Sequence, residues 1–152
     1  MDEAIKQKIL KLLDEHRIMT VATLRHDGWP QATTVGYVHD GLTLYFLCGL
    51  ESQKAANIAK DNRVSLTIDH DADRIMEITG LSMAAHATAV TDRAEAERVI
   101  SMMLLKYPAQ KTALPGPMPR PEDVRIFRLK PVVISVLDYT KGFGHTDLVP
   151  CL

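Results

Sequence analysis

"IMTVATLRHDGWPQATTVGYVHDGLTLYFLC", residues 18–48, is the stretch that decides the fold of this chain. Its segments IMTVATL, QATTVGYVH and LTLYFLC are rich in β-branched, aromatic and other apolar residues, which favour strands. Two Asp-Gly pairs, at 27–28 and 40–41, separate these segments, and Asp-Gly is typical of tight hairpin turns. The stretch therefore predicts two consecutive hairpins that form a three-stranded antiparallel meander.

The segment before this stretch predicts an amphipathic helix. Ile5, Ile9, Leu12 and Leu13 fall on one helical face, and charged residues occupy the other. The pattern ends near His16, where we expect the helix to end.

The segments after it continue the mainly β pattern. RVSLTIDH, at 63–70, predicts a strand, and IMEITGLSMAAHATAV, at 75–90, predicts a long or bent strand interrupted by Gly80. A helix should begin at Asp92, since apolar residues then recur at helical spacing up to Tyr107.

Five of the eight prolines stand in residues 108–123, which predicts a surface loop without regular structure. VRIFRLK and VVISVLDY predict two final strands, followed by the tail TKGFGHTDLVPCL. In this tail, Gly142 and Gly144 beside Lys141 and His145 predict a flexible segment able to close over a cleft. The total is six to seven strands with about three helices. Consecutive hairpins in such a chain favour a closed antiparallel barrel, because closure removes exposed strand edges. We expect one domain over residues 1–152.

Composition narrows the class of protein. With 152 residues, 46% hydrophobic residues and 24% charged residues, the chain resembles an ordinary globular protein. A net charge of -1 argues against nucleic acid or an anionic membrane as the main partner. The charged N-terminus does not fit a signal peptide, and no apolar run reaches the ~20 residues that span a bilayer. Two cysteines without paired spacing suit a reducing, cytoplasmic setting.

The segment LESQKAANIAKD, residues 50–61, carries the strongest sign of a binding site. It leads from a strand end into a short helix, with Ser52 placed to cap the helix and Lys54 in its first turn. A lysine there is unfavourable beside the positive end of the helix dipole unless an anion lies nearby. Spacing alone leaves open both a plain serine cap with a solvated lysine and a phosphate-binding site.

The hairpin stretch and the LESQK segment together resemble the flavin-binding split-barrel family that includes pyridoxamine 5'-phosphate oxidase. In that family a strand turns into L-E-S-R-K before a short helix, followed by an N-P-R-V-S-L strand. These pieces stand in this chain at residues 50–54 and 62–66, without the proline. The resemblance implies a homodimer of split barrels, with FMN bound in two equivalent clefts between the subunits.

The resemblance also implies which residues contact the cofactor. Gln53 and Lys54 would face the FMN phosphate, with Ser52 close by. The first long hairpin would run along the flavin ring and ribityl chain, and the strand after it would approach the ring. The hairpin residues are Thr33, Thr34, Val35 and Gly36, and the residues of the following strand are Leu47 and Cys48.

Further contacts are implied from later in the chain. Residues around Leu81, Ser82 and Met83 would cover the cofactor from the partner subunit, and Tyr139 falls where the oxidase has an aromatic residue. Lys141 is a candidate for the flavin N1 and C2 edge, which needs positive or hydrogen-bonding character. No catalytic residue is assigned.

Two departures from the family pattern limit the expected activity. Thr33 and Gln53 are neutral where the oxidase carries arginines, and the oxidase's C-terminal His-Asp-Arg pattern is replaced by TKGFGHTDL. We therefore expect an FMN-dependent oxidoreductase for a small organic substrate, with NADH or NADPH as candidate electron donor, and not a true pyridoxamine 5'-phosphate oxidase. The alternative is a non-catalytic carrier or sensor of the same fold that binds flavin, haem or the deazaflavin F420.

Two other features favour a structural interpretation. His70 stands among Asp69, Asp71 and Asp73, but the ligand spacing of a hard-cation loop is absent, so a solvated acidic turn is expected and no metal site is predicted. Trp29 is expected to pack against the end of its hairpin.

Overall fold

The computed structural model describes residues 1–107 and 119–151, in which eight strands form one antiparallel sheet. The α-helices of these residues are α1 (Glu3–Glu15), α2 (Gln53–Lys60) and α3 (Arg93–Lys106). The first four strands are β1 (Ile18–Leu24), β2 (Pro30–Gly36), β3 (Val38–Asp40) and β4 (Thr43–Gly49). The others are β5 (Arg63–Asp69), β6 (Thr79–Ala89), β7 (Val124–Asp138) and β8 (Thr146–Pro150).

The sheet closes on itself around a gap. Its order is β2-β1-β5-β6-β7-β4-β3, with β8 paired to β7, so the sequential strands β2 and β3 lie at opposite edges. The chain passes between these edges at Tyr37, whose buried hydroxyl donates to the Leu13 carbonyl at 2.6 Å. The sheet must therefore curl until its two edges approach, and the predicted split-barrel class with peripheral helices is confirmed.

The predicted three-stranded meander was wrong in one respect. The hairpins β1–β2 and β3–β4 form, but β2 has no ladder with β4 in the described residues. The third predicted strand, β4, pairs with β3 at the end of the second predicted segment and with β7 along its other edge. The break comes at the buried Tyr37, which turns the chain inward between the two hairpins.

Alternating apolar residues fill the barrel, and two helices contribute to the same core. Helix α1 buries Ile9, Leu12 and Leu13 in it, and α2 buries Ile58. Helix α3 lies outside the barrel, where Val99 and its neighbours form a second cluster against the outer side of β3 and β4. Each helix thus buries one apolar stripe, as an amphipathic helix must.

Later segments are more ordered than the sequence indicated. The two predicted final strands are one strand, β7, which continues through Pro131 because its register against β6 skips Val132 and forms a bulge there. The end of the tail is ordered, since β8 pairs with β7 and buries Val149. The flexibility expected around Gly142 and Gly144 stays a prediction. Most of the predicted proline-rich loop, residues 108–118, lies outside the described residues.

Trp29 also differs from expectation. Its side chain is 71% exposed at the β1–β2 turn, so the prediction that it packs against the hairpin end was wrong. Asp27 holds this turn instead, accepting from the Trp29 backbone N–H at 3.1 Å and from the Arg25 guanidinium. In the described ranges, no helix is both long enough and apolar enough to cross a bilayer.

Candidate functional site

The open edge of β2 is the first component of the candidate site. One edge of β2 pairs with β1 along its whole length, and the other has no strand partner in the part of the chain described. An unpaired strand edge offers backbone N–H and C=O groups to a ligand. The gap of the split barrel therefore exposes a row of donors and acceptors beside residues 30–36.

Thr33 carries an unsatisfied polar group beside this edge. It lies opposite the fully buried Val21 of β1, so its side chain points into the barrel. Its Oγ1 is the one buried side-chain N or O atom in residues 1–107 and 119–151 that has no hydrogen-bond partner. Such an atom is costly to bury alone, and a bound ligand is one way to satisfy it.

The N-terminal end of α2 is the second component. Ser52 caps the helix as predicted, with its Oγ accepting from the Ala55 N–H at 3.1 Å. The Ser52 N–H donates to the Gly49 carbonyl at 3.1 Å, which closes the turn from β4 into the helix. The remaining N–H groups of the first turn have no acceptor within the helix and form a natural anion-binding site.

Lys54 lies on the barrel-facing side of α2. It precedes Asn57 and Ile58 by three and four residues, and both of these are buried. Lys54 itself is half-buried, and no carboxylate of the described residues pairs with its ammonium group. The lysine therefore brings an uncompensated positive charge to the first turn of the helix.

A buried polar network fixes α2 against the first hairpin. The Asn57 amide donates to the Thr23 hydroxyl at 3.0 Å and to Gln31 Oε1 at 3.4 Å, and its own oxygen accepts from Gln53 Nε2 at 2.8 Å. Gln31 lies on β2 two residues before Thr33. The network thus positions the helix and the open strand relative to each other.

Sequence reasoning missed Asn57, Thr23 and Gln31. Two signals could have found them: a polar residue among the apolar positions of α2, and polar residues on the inward register of β1 and β2. Buried polar side chains are normally hydrogen-bonded, so such residues predict a partner on a neighbouring element.

The two predicted residues of β4 face opposite ways. Leu47 packs in the cluster beneath α3, whereas Cys48 packs against the barrel core. Successive residues of a strand must point to opposite faces. A ligand bound at one face of β4 can therefore contact the side chain of Leu47 or that of Cys48, but not both.

The three predicted residues of β6 are divided in the same way. Leu81 and Met83 are 1% and 2% exposed inside their own barrel, so their side chains are not available to cover a cofactor in a second subunit. Ser82 points outward between Thr67 and Ser135. Of this segment, only the Ser82 side chain and backbone groups remain available to contact a cofactor in a second subunit.

Tyr139 and Lys141 lie far from α2 in the same chain. They follow the last residue of β7, whereas the first residue, Val124, pairs with Gly49 just before α2. The 15-residue strand between them is about 45 Å long along its contour at ~3.3 Å per residue. A single chain therefore does not bring these two residues to Ser52, Gln53 and Lys54.

The surroundings of Tyr139 and Lys141 are nevertheless defined. The Tyr139 ring contacts the Phe143 ring at 5.7 Å between centroids. Lys141 is exposed and lines a cleft of about 680 Å³ with the start of α1 and with β8. These residues form an aromatic and basic surface at the end of the barrel opposite α2.

The presence of glycine at position 36 is explained by packing within this chain. A Cβ atom there would lie 2.9 Å from the Tyr107 hydroxyl oxygen. That hydroxyl donates to the Arg17 carbonyl and accepts from the Tyr37 N–H at 3.3 Å. The close approach of Tyr107, directly after α3, accounts for glycine at this position.

Lys106 lies beside the same cluster. Its ammonium nitrogen is 3.7 Å from the centroid of the Tyr37 ring and donates to the Leu13 carbonyl at 3.4 Å. Burial lowers the pKa of Lys106 to about 8, and burial raises the pKa of Tyr37. The cluster joins the ends of α1 and α3 to the connection between β2 and β3.

A barrel split at the free edge of one strand, with a short capped helix beside the gap, defines a protein of the split-barrel class. A family model described as pyridoxamine 5'-phosphate oxidase matches residues 5–138, and the chain belongs to this family.

Individual relatives support this classification. The chain is similar to general stress protein 26 of Bacillus subtilis (strain 168), with 30% identity over an alignment of 93 residues; the match covers 59% of this chain and 66% of that protein. The match thus covers slightly less than two thirds of that relative's length.

Solved structures share the fold over nearly the whole chain. The conserved hypothetical protein Rv2991 of Mycobacterium tuberculosis is 26% identical, with a TM-score of 0.75 over 97% of this chain and 91% of that one. A heme binding protein of Mycobacterium smegmatis is 18% identical, with a TM-score of 0.76 over 99% of this chain and 59% of that one. At 18% identity, this last likeness shows the fold alone.

Proposed function

We propose that the chain binds FMN between the open edge of β2 and the N-terminal end of α2, and that it is a flavin-dependent oxidoreductase for a small organic substrate. The observation that carries the proposal is the buried Thr33 hydroxyl, which has no partner among the described residues and lies beside an unpaired strand edge. When bound, FMN would supply hydride transfer.

The residues of the site suit the parts of FMN. The capped first turn of α2 offers N–H groups to a phosphate, and Lys54 adds a positive charge. The open edge of β2 offers backbone groups to the heteroatoms of the ring, and Thr33 offers a hydroxyl. Because the Gln53 amide is already bonded to Asn57, Lys54 would supply most of the side-chain attraction for the phosphate.

We further propose a homodimer with the cofactor clefts between subunits. No helix of the described residues packs on the outer face of β1, β2, β5 and β6, whose central part carries small side chains, while larger ones such as Ile18, Leu24 and Arg63 lie toward its ends. Two rows across this face are Ala32, Ala22, Ser65 and Ala84, and then Thr34, Thr20, Thr67 and Ser82. Small side chains allow two sheets to approach closely. In such a dimer, Tyr139 and Lys141 of one subunit would lie at the cleft beside α2 of the other subunit, although they lie far from α2 of their own chain.

This activity would differ from that of a true pyridoxamine 5'-phosphate oxidase, since the family's C-terminal His-Asp-Arg pattern is replaced by Gly144-His145-Thr146-Asp147. Cys48 and Cys151 are both free thiols, in keeping with a proposed cytoplasmic location.

Titration of the purified apo-protein with FMN tests the cofactor proposal. We expect Lys54→Ala to weaken binding about 10- to 100-fold, the scale of a lost charge-assisted hydrogen bond. Lys60→Ala is the matched control, because Lys60 is an exposed lysine at the other end of the same helix. Equal affinity of the Lys54→Ala variant and the wild type would contradict the phosphate assignment.

Reduction by NADH or NADPH then tests the enzymatic part. Bleaching of the bound flavin by either nucleotide supports an oxidoreductase, and bound flavin that neither nucleotide reduces favours a carrier or sensor. A chain that takes up no FMN would overturn both flavin proposals.

Haem binding is the second candidate, supported by the fold shared with the Mycobacterium smegmatis heme binding protein. Haem, FMN and F420 have different visible spectra. Competition of each with FMN for the apo-protein therefore identifies the group that the site prefers.

A further inference from the structure

The mouth of the barrel beside α2 contains an apolar cavity. It has a volume of about 530 Å³ and lies between α2, the last residues of β6 and the first residues of β7. Phe127 and Ile58, which are both buried, line its inner part, and Ala55, Ala56 and Ala59 of α2 line one side. Because alanine side chains are short, they leave the space between the helix and the sheet unfilled.

An arginine occupies the inward register of β7 at this mouth. Arg125 stands two residues before Phe127, whose side chain packs in the barrel core, and it is paired with Cys48, which packs against the same core. Residues two apart in a strand point to the same face. A charged side chain therefore takes an inward position of β7 where the barrel opens, and there it is exposed and lines the cavity.

Arg125 has no carboxylate partner in residues 1–107 and 119–151. Six of the nine arginines of the chain form an ion pair with a carboxylate, and Arg125 is not one of them. The Glu51 carboxylate belongs to a residue that lines the same cavity, but it forms no ion pair with Arg125. Apolar walls with a few polar groups are typical of small-molecule sites of this volume.

We propose that this cavity binds an organic monocarboxylate with an apolar body, of the size of an aromatic or medium-chain acid. The guanidinium of Arg125 would hold the carboxylate in a bidentate, charge-assisted pair, for which its planar fork is suited. The apolar body would lie against Phe127 and the alanines of α2, where its burial contributes the hydrophobic part of the affinity.

The charges around the cavity favour a monocarboxylate over a phosphate. Arg125 is the one Lys or Arg among the described residues that line it, and Glu51 adds a negative charge. A phosphate dianion would be repelled by Glu51 more strongly than a monoanion. Lys54 does not line this cavity, so the site differs from the proposed FMN phosphate site and does not depend on it.

Calorimetric titration of the tag-free apo-protein with 2-naphthoate tests the proposal. We expect one molecule per chain, and binding of the neutral analogue 2-naphthamide that is about tenfold weaker or more. Arg125→Gln should weaken the binding of 2-naphthoate about 10- to 100-fold and leave that of 2-naphthamide nearly unchanged. Arg74→Gln is the matched control, because Arg74 is an exposed arginine between β5 and β6, and it should bind like the wild type.

A second variant tests the apolar part of the site. Ala56 is exposed at the cavity, so Ala56→Leu should fill the space with a good helix former and keep the wild-type thermal midpoint without a probe. We expect it to lose about tenfold or more of the affinity for both compounds. The probe should raise the midpoint of the wild type and not that of Ala56→Leu, since a ligand that binds only the folded state stabilises it.

Three results would overturn the proposal. They are no binding of 2-naphthoate by the wild type, wild-type affinity in Arg125→Gln, and displacement of 2-naphthoate by FMN, which would assign the cavity to the cofactor. A chain that binds 2-naphthoate through Arg125 and takes up no FMN would retain this site, although the proposed cofactor would then be wrong.

Discussion

The Asn57 side-chain amide donates a hydrogen bond to the Thr23 hydroxyl at 3.0 Å, and both residues are only 1% exposed. The bond joins α2 to the inner face of β1. Because Asn57 also contacts Gln31, the first turn of α2 has a fixed place beside the open edge of β2. This buried polar contact therefore helps to fix the position of the candidate phosphate site.

Loss of this contact should destabilise the protein. We expect Asn57→Ala to lower the free energy of unfolding by about 1–3 kcal/mol, because it leaves a cavity and removes the partner of a buried hydroxyl. Urea denaturation measures the loss. Gln53→Ala removes an exposed partner of the same amide and should cost less. A double-mutant cycle with Thr23→Val isolates the bond, and additive effects of the two substitutions would contradict its importance.

Asp138 should make stability depend on pH. The Lys8 ammonium, 2.7 Å away, and then the Thr140 hydroxyl lower the pKa of Asp138 from 3.8 to about 2. The folded state thus binds a proton less readily than the unfolded state, and the stabilisation is present above about pH 4 and lost as the pH falls toward 2. It amounts to about 2 kcal/mol at neutral pH.

The measurement is the free energy of unfolding of wild type and Asp138→Asn between pH 2 and pH 7. The variant should be less stable at neutral pH, and the two curves should converge on acidification. Asp147→Asn is the control, because Asp147 is a half-buried aspartate on β8 whose carboxylate pairs only with His145 among the described residues. A constant difference between wild type and Asp138→Asn at every pH would rule out the ion pair as its cause.

The effects of substitutions at Gly36 and Tyr107 on stability should be coupled. An alanine at position 36 would place its Cβ 2.9 Å from the Tyr107 hydroxyl oxygen. The Tyr107 side chain is held in place by the hydrogen bond from its hydroxyl to the Arg17 carbonyl. We expect Gly36→Ala to cost about 1–3 kcal/mol of stability by overpacking. Thermal unfolding measures the loss, and Tyr107→Ala in the same chain should recover part of it. No recovery would show that the contact with Tyr107 is not the reason for glycine.

Local sequence patterns predicted those parts of the fold that depend on neighbouring residues. Asp-Gly turns predicted both hairpins, and the caps at Ser52 and Asp92 placed the starts of α2 and α3 within a residue. These features need only turn chemistry and capping. The pairing of β4 with β7 was missed because it joins residues about 80 positions apart, and no local pattern specifies such a partner.

The features of the candidate site likewise divide into those that the local sequence predicts and those that depend on the tertiary fold. The serine cap and the lysine of α2 were visible in LESQK, but the inward direction of Thr33 and the outward direction of Thr34 follow from the register of β2. Leu81 and Met83 were grouped with Ser82 by position, although strand alternation buries two of the three.

Thr33 offers the sharpest test of the open edge of β2. Its buried hydroxyl oxygen has no partner within the described residues, so the folded apo-protein carries the cost of that group. Thr33→Val keeps the shape of the side chain and removes the hydroxyl. We expect the apo-variant to be more stable by up to about 1 kcal/mol, measured by urea denaturation without a cofactor.

The same substitution should have the opposite effect on cofactor binding. If FMN satisfies the hydroxyl, Thr33→Val loses a buried hydrogen bond in the complex, and FMN affinity should fall about 3- to 10-fold, the scale of a neutral hydrogen bond. Thr91→Val is the matched control, since Thr91 is an exposed threonine just before α3, outside the candidate site and the proposed dimer face. Higher apo stability with unchanged FMN affinity would mean that the hydroxyl serves neither folding nor this ligand. Lower apo stability would show that the hydroxyl has a partner within the protein.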